Sequence, residues 1–119
     1  MKASDKLKDL LNLETFVSGE EARELALAGK LKHTTTVQGD LDLYSTKIKS
    51  LPEDLKVGGD LYLADTKITS LPEGLEVGGN LDLGISSITS LPNDLKVTGT
   101  VYGSTEKMKV PKGIKYESR

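Results

Sequence analysis

Three consecutive stretches of the chain follow one pattern. Residues 57–76 read VGGDLYLADTKITSLPEGLE, residues 77–96 read VGGNLDLGISSITSLPNDLK, and residues 37–56 read VQGDLDLYSTKIKSLPEDLK. Aligned, they give V-x-G-x-L-x-L-x-x-(T/S)-x-I-x-S-L-P-x-x-L-x. A fixed period in this range is typical of a solenoid, in which each unit packs against its neighbours. The sequence therefore predicts a stack of similar coils.

The L-x-L segment of each copy alternates apolar with variable residues, which indicates a strand with one buried face. We expect these strands at Leu41–Leu43, Leu61–Leu63 and Leu81–Leu83, with a fourth unit beginning at 97–102. Strands stacked in parallel lie about 4.8 Å apart, so equivalent leucines would form buried rows through the stack. The pattern predicts a short parallel β-sheet of about four strands.

Three other repeat positions predict turns. A glycine precedes each strand, where we expect a tight bend or a positive φ; these are Gly39, Gly59, Gly79 and Gly99. A proline in each return segment predicts extended chain or a single turn instead of a helix; these are Pro52, Pro72 and Pro92. A hydroxyl follows each strand and is expected to bond the backbone of the neighbouring coil; these are Thr46, Thr66 and Ser86.

Residues 61–72, LYLADTKITSLP, match the pattern L-x-L-x-x-(N/T)-x-(L/I)-x-x-L-P. This pattern resembles the leucine-rich repeat, and the spacing and the V-G-G-(D/N)-L-x-L lead-in are similar to the short repeats of bacteria and their phages. The resemblance extends over about 37–114. It implies an α/β solenoid, namely a leucine-rich-repeat stack with a short parallel sheet and an N-terminal helical cap.

The chain is expected to form one structural domain in three parts. Residues 1–36 form the helical cap and a connecting segment, residues 37–96 the three repeats, and residues 97–119 a degenerate fourth repeat with a basic tail. Within the cap, Ser4 is expected to begin a first short helix. Ser18 and Glu21 form a capping box for a second helix, which Gly29 would end.

Composition excludes several classes of function. The chain has no cysteine, which removes disulfides, zinc–thiolate sites and cysteine nucleophiles. His33 is the one histidine and has no carboxylate partner suggested by the sequence, and no metal-ligand spacing is present. We expect no catalytic residue, no metal and no cofactor, and therefore no enzyme. Without a membrane-spanning run or a signal sequence, the expected location is the cytoplasm.

Charge is unevenly distributed along the chain. Residues 37–96 carry five lysines against ten Asp and Glu, whereas residues 97–119 carry five Lys and Arg against two Glu. An acidic repeat region argues against binding nucleic acid, because that binding depends on cationic contacts to phosphates. The basic tail is interpreted as a solubility feature, with an anionic partner as the alternative.

The variable strand positions are the candidate binding site. They would face outward from the sheet in three rows and combine carboxylates with exposed tyrosines, a composition suited to a protein interface. The predicted partner-binding residues are Asp40, Asp42, Tyr44, Asp60, Tyr62, Asn80, Asp82 and Tyr102.

These features predict a non-enzymatic protein-binding module that docks a partner protein with a basic surface. Nucleic acid and membrane are not expected partners, and the chain would be a monomer or a weak homodimer. The resemblance implies one form of such a module, a small phage-encoded inhibitor of a host or defence protein acting in the host cytoplasm. The alternative is a structural, self-assembling unit that associates through the sheet edge or the helical cap. A weaker alternative is an enzyme fragment or the recognition half of a larger effector.

Overall fold

The computed structural model describes residues 15–118, which form an α/β fold with two parallel β-sheets and one helix. Each sheet has five strands. The elements in chain order are β1 (Thr15–Ser18), α1 (Gly19–Leu27), β2 (Thr35–Gln38), β3 (Leu41–Asp42), β4 (Lys56–Val57), β5 (Leu61–Tyr62), β6 (Glu76–Val77), β7 (Leu81–Asp82), β8 (Lys96–Val97), β9 (Thr100–Gly103) and β10 (Lys115–Ser118).

From β2 to β9 the strands alternate between the two sheets along the chain. Sheet 1 has the order β1-β2-β4-β6-β8 and sheet 2 has the order β3-β5-β7-β9-β10. The prediction of one sheet with about four strands is therefore wrong. The valine that was expected only to begin each coil pairs with the valine of the next coil, Val37 with Val57 for example, and so belongs to a strand of its own. A short Gly-containing turn then leads from this strand into the leucine strand of sheet 2.

The predicted rows of buried leucines are confirmed. Leu41 pairs with Leu61, Leu61 with Leu81, and Leu81 with Val101, and all four side chains are fully buried. Successive copies are thus in register at the period of the sequence. The strands of sheet 2 are shorter than predicted, but the ladder continues one residue further, since the Leu43 amide donates to the Tyr62 carbonyl at 3.0 Å.

The N-terminal segment differs in part from the predicted cap. The expected helix after Ser4 lies outside the described residues. Residues 15–18, which lie between the two predicted helices, form strand β1, and Val17 pairs with Val37 in the repeat register. The second predicted helix is confirmed as α1: the Ser18 hydroxyl accepts the Glu21 amide at 3.1 Å. Gly29 lies just beyond its end with φ 71°, a conformation that glycine adopts without strain.

The C-terminal segment begins a fourth unit as predicted and then adds an unpredicted strand. Strand β10 pairs with β9 in parallel, Tyr116 opposite Val101. Gly103 stands where the second inward leucine of the other coils would be, and the Tyr116 ring takes that space, because a side chain on Gly103 would overlap it. The Tyr116 hydroxyl donates to the Thr105 carbonyl at 2.5 Å, which satisfies the ring's polar end.

The glycines before the strands are explained mainly by packing, and the predicted positive φ holds only for Gly39 (φ 102°). At Gly59 and Gly79 an added Cβ would overlap Oδ1 of the aspartate in the preceding coil, Asp40 or Asp60 respectively. The close approach of successive coils therefore selects glycine at these two positions.

The hydroxyls after the strands do not join neighbouring coils, and that prediction is wrong. Thr46, Thr66 and Ser86 each donate to a carbonyl three residues earlier in their own coil, at 2.8, 2.8 and 2.7 Å. They close local turns after the strand instead. Other side chains, which belong to the predicted site, bond the backbone of the neighbouring coil instead: Asp40, Asp60 and Asn80.

Candidate functional site

One row of predicted site residues crosses four adjacent strands of sheet 2. Asp42 pairs with Tyr62, Tyr62 with Asp82, and Asp82 with Tyr102. Each lies next to a fully buried leucine or valine, so alternation along the strand turns these side chains outward. We call this set the Asp–Tyr row. At about 4.8 Å per strand its four members span about 14 Å.

A second row of predicted residues has a structural role that the sequence did not suggest. Oδ1 of Asp40 accepts the Asp60 amide at 2.7 Å, Oδ1 of Asp60 accepts the Asn80 amide at 2.7 Å, and Oδ1 of Asn80 accepts the Thr100 amide at 2.9 Å. Each side chain thereby bonds the backbone of the next coil. We call this set the Asp/Asn ladder. The ladder requires an acceptor oxygen but no charge, since asparagine serves at its third position.

The two rows meet at Asp60. While its Oδ1 belongs to the ladder, its Oδ2 accepts the Tyr62 hydroxyl at 3.1 Å. This hydrogen bond, followed by the negative charges of Asp60 and its neighbours Asp40 and Asp42, raises the pKa of Tyr62 above 10.0. The phenol therefore remains a neutral donor, oriented by Asp60, throughout the physiological range.

Asp42 and Asp82 are held by turns of their own. Oδ1 of Asp42 accepts the Tyr44 amide, and Oδ1 of Asp82 accepts the Gly84 amide, each at 3.0 Å. These two bonds fix the orientation of the carboxylates at the end of each strand. Tyr44, the predicted residue of the third row, has 57% of its surface exposed.

Ile85 is a candidate that the sequence analysis missed. Its side chain has 71% of its surface exposed and its φ is 53°, the left-handed region that β-branched residues almost never occupy. The equivalent residues Ser45 and Asp65 have the same backbone conformation, with φ 58° and 57°, but are polar. The signal was present in the alignment as an apolar residue at a polar turn position. Such strain is typical of functional positions.

Lys115 and Glu117 also lie on this face and were missed. Strand β10 places Lys115 beside Thr100 and Glu117 beside Tyr102, which extends both outer rows by one strand. The sequence gives no periodic signal for this, since the tail departs from the period of twenty before residue 115.

Other surface features lie away from the Asp–Tyr row. A groove of about 470 Å³ crosses sheet 1 beside Phe16, Lys56 and Glu76, and one of about 290 Å³ lies beside Leu31 and His33. Neither groove includes a residue of the predicted site. The His33 side chain accepts the Glu53 amide through Nδ1 at 3.2 Å, so its contact links two coils.

Two searches of the described part of the chain had negative outcomes. Residues 15–118 hold no group of three or more His, Asp or Glu side chains arranged to bind a metal ion. Within the same residues, no helix has the length and apolar character needed to cross a bilayer.

Comparison with known proteins identifies no relative. No protein-family model, no curated protein and no solved structure matches the chain.

Proposed function

We propose that the protein is a non-enzymatic binding module whose outer face of sheet 2 docks a partner protein with a basic surface. The observation that carries this proposal is the Asp–Tyr row, in which tyrosines and carboxylates alternate across four paired strands. Tyrosine supplies rigid contact area with a polar tip, and aspartate favours a cationic partner.

The charge of this face supports a basic partner. Four aspartates lie in its two rows, Asp40, Asp42, Asp60 and Asp82, whereas Lys115 is the one cation that strand β10 adds. The hydrogen bonds of the Asp/Asn ladder hold the carboxylates of Asp40 and Asp60 in place. The turn bonds hold those of Asp42 and Asp82. Because these side chains are already ordered, little further conformational entropy is lost when a partner binds.

An apolar contact at Ile85 would complete the interface. Interfaces typically combine a buried apolar centre with polar surroundings. Ile85 comes three residues after Asp82 and directly after Gly84, which has no side chain, so its exposed side chain is accessible at the end of β7. A partner carrying Lys or Arg beside an aliphatic residue fits this combination of charges and apolar surface.

The finer architecture and the biological setting are parts of the same proposal. The in-register pairing of the copies supports a leucine-rich-repeat solenoid, with sheet 1 and sheet 2 on two sides of each coil. The resemblance of residues 61–72 to bacterial and phage repeats supports a small inhibitor that covers a functional surface of a host or defence protein.

A capture experiment with paired variants tests the docking face. The double variant Tyr62→Thr, Asp82→Asn removes one aromatic ring and one charge from the Asp–Tyr row. Asparagine keeps an oxygen for the Gly84 amide, and threonine is favourable in strands. Immobilised wild-type protein is expected to retain a basic protein from a bacterial lysate that the double variant does not retain.

The matched control changes the opposite sheet. Lys56→Thr with Glu76→Gln alters two paired strand residues of sheet 1 and should leave capture intact. Thermal unfolding verifies that both double variants are folded. Equal capture by wild-type protein and the Tyr62→Thr, Asp82→Asn variant would refute the docking face.

A further inference from the structure

Strand β10 leaves one edge of sheet 2 open. It is four residues long, it is the terminal strand in the sheet order, and no strand within residues 15–118 pairs with its outer edge. At the other end of the sheet, helix α1 packs beside β3, so closely that a side chain at Gly19 would overlap the Asp40 carbonyl. The two ends of sheet 2 are therefore unlike, and only β10 presents a strand-length edge. An open edge of this kind is a template for pairing with another chain.

The repeat register shows which backbone groups of β10 face outward. Within sheet 2, an inward residue donates its amide to the next coil, as Leu63 does to Asp82 and Leu83 to Tyr102, at 2.8 and 2.6 Å. The outward residues direct their carbonyls back to the preceding coil. Since Tyr116 pairs with the inward Val101, its amide and carbonyl point to the open edge, and so do those of Ser118. The backbone groups of Lys115 and Glu117 are directed at β9.

Three of the antiparallel registers that this alternation permits between two copies of β10 are centred on Lys115, Tyr116 or Glu117. A two-fold axis at Lys115 would place two lysines opposite each other, and an axis at Glu117 would place two glutamates opposite each other. An axis at Tyr116 places Lys115 opposite Glu117 of the partner subunit, twice by symmetry. Side chains opposite each other at positions without backbone bonds approach closely, so unlike charges stabilise the pair and like charges destabilise it.

We propose that two copies of the chain pair through antiparallel β10 strands about Tyr116, with Lys115 opposite Glu117 of the partner subunit. The Tyr116 amide and carbonyl bond those of Tyr116 of the partner subunit. The two copies of sheet 2 then form one sheet of ten strands, which places two Asp–Tyr rows on one continuous face. The occupant of the edge is a second copy because the charges of this strand are complementary to themselves.

The interface is short, and the equilibrium is correspondingly weak. A few backbone bonds and two ion pairs at a solvent-exposed edge predict a dimer that forms at high micromolar concentration and dissociates on dilution. Because the exposed ion pairs are screened by salt, dimerisation should weaken as ionic strength rises. This inference does not depend on the proposed docking function.

Charge exchange at β10 tests the register. Sedimentation equilibrium of the full chain should show a monomer–dimer equilibrium at low salt. Lys115→Glu alone, or Glu117→Lys alone, should weaken the dimer about tenfold or more, because each places like charges opposite each other twice. The double variant Lys115→Glu, Glu117→Lys should restore the wild-type dissociation constant, because the two exchanged charges again face unlike partners.

Two controls separate register from net charge and from fold. Lys49→Glu and Glu73→Lys make the same charge changes at exposed positions of the return segments and should leave the dimer unchanged. Ser118→Pro removes an amide from the open edge and should weaken dimerisation without lowering the melting temperature of the monomer. A strictly monomeric chain at millimolar concentration, or a double variant no better than the singles, would overturn the proposal.

Discussion

Replacing the strained isoleucine should make the protein more stable and its docking face weaker. Ile85 is a β-branched residue whose backbone has a φ of 53° and whose side chain is mostly exposed to solvent. The change Ile85→Asn leaves the turn in place, because asparagine tolerates the left-handed conformation better than other L-residues. It also removes the apolar side chain that we propose contacts the partner.

The expected gain in stability follows from two opposing contributions. The left-handed conformation costs an ordinary L-residue about 1–2 kcal/mol, most of which asparagine recovers. Full burial of an isoleucine contributes about 1.5–3 kcal/mol, but Ile85 keeps 71% of its surface exposed, so the loss is about 0.4–0.9 kcal/mol. The net change is a gain of about 0.5–1 kcal/mol in the free energy of unfolding, or about 2–5 °C in melting temperature at this chain length.

Urea denaturation and capture, measured on the same preparations, test both consequences. The reverse change at the equivalent position, Ser45→Ile, should destabilise the protein by about 1–2 kcal/mol, since it also breaks the 2.8 Å bond from Ser45 to Asp65. Ser50→Ile, at an exposed residue without positive φ, is the matched control and should have a smaller effect. A less stable Ile85→Asn variant, or one that binds like wild type, would refute the reasoning.

Three further predictions follow from the described contacts. Asp60→Ala should lower the free energy of unfolding by about 1–3 kcal/mol, measured by urea denaturation, because the Asn80 amide loses its acceptor. Asp60→Asn keeps an acceptor oxygen and should lower it much less. Equal losses would contradict the Asp/Asn ladder. Gly79→Ala should cost about 1–3 kcal/mol because its Cβ overlaps Asp60 and the Gly59 backbone, whereas Gly84→Ala, with no contact closer than 3.3 Å, should cost less; the opposite order would contradict the packing account. Spectrophotometric titration of wild type, with Tyr62→Phe subtracted, should show the Tyr62 phenol with a midpoint above pH 10.0. Asp60→Asn should lower this midpoint, because the variant removes the negative charge beside the phenol. A wild-type midpoint at or below 10.0 would contradict the Asp60 contact. Because the folded pKa of Tyr62 is raised, the stability that it contributes should be present below pH 10.0 and be lost as pH rises through the folded value.

The regular part of the fold could be predicted because the period of twenty repeats both spacing and chemistry. Equivalent leucines at one spacing can be buried together only if the coils stack in register, and Leu41, Leu61 and Leu81 do so. The second sheet was missed because the strands that the repeats contribute to it, β4, β6 and β8, are two residues long around a single valine, too short for alternation to show. Strand β10 was missed because the tail leaves the period.

The candidate site could be located in the sequence but its parts could not be distinguished. Asp40, Asp60 and Asn80 were grouped with Asp42 and Tyr62 as outward residues because both sets alternate with buried leucines. Only their hydrogen-bond partners distinguish the two sets. Asp40, Asp60 and Asn80 accept amides of the next coil. Asp42 accepts an amide within its own turn. The strain at Ile85 depends on a backbone dihedral angle, which the sequence indicates only by an unusual residue at a turn.

The most direct test of the docking face is a chemical-shift map of the ¹⁵N-labelled protein titrated with the partner that it captures. We predict that the amides of Asp42, Tyr62, Asp82 and Tyr102 shift together with that of Ile85, while those of Lys56 and Glu76 in sheet 1 do not. Shifts confined to sheet 1 or to helix α1, with the Asp–Tyr row unchanged, would contradict the proposed function.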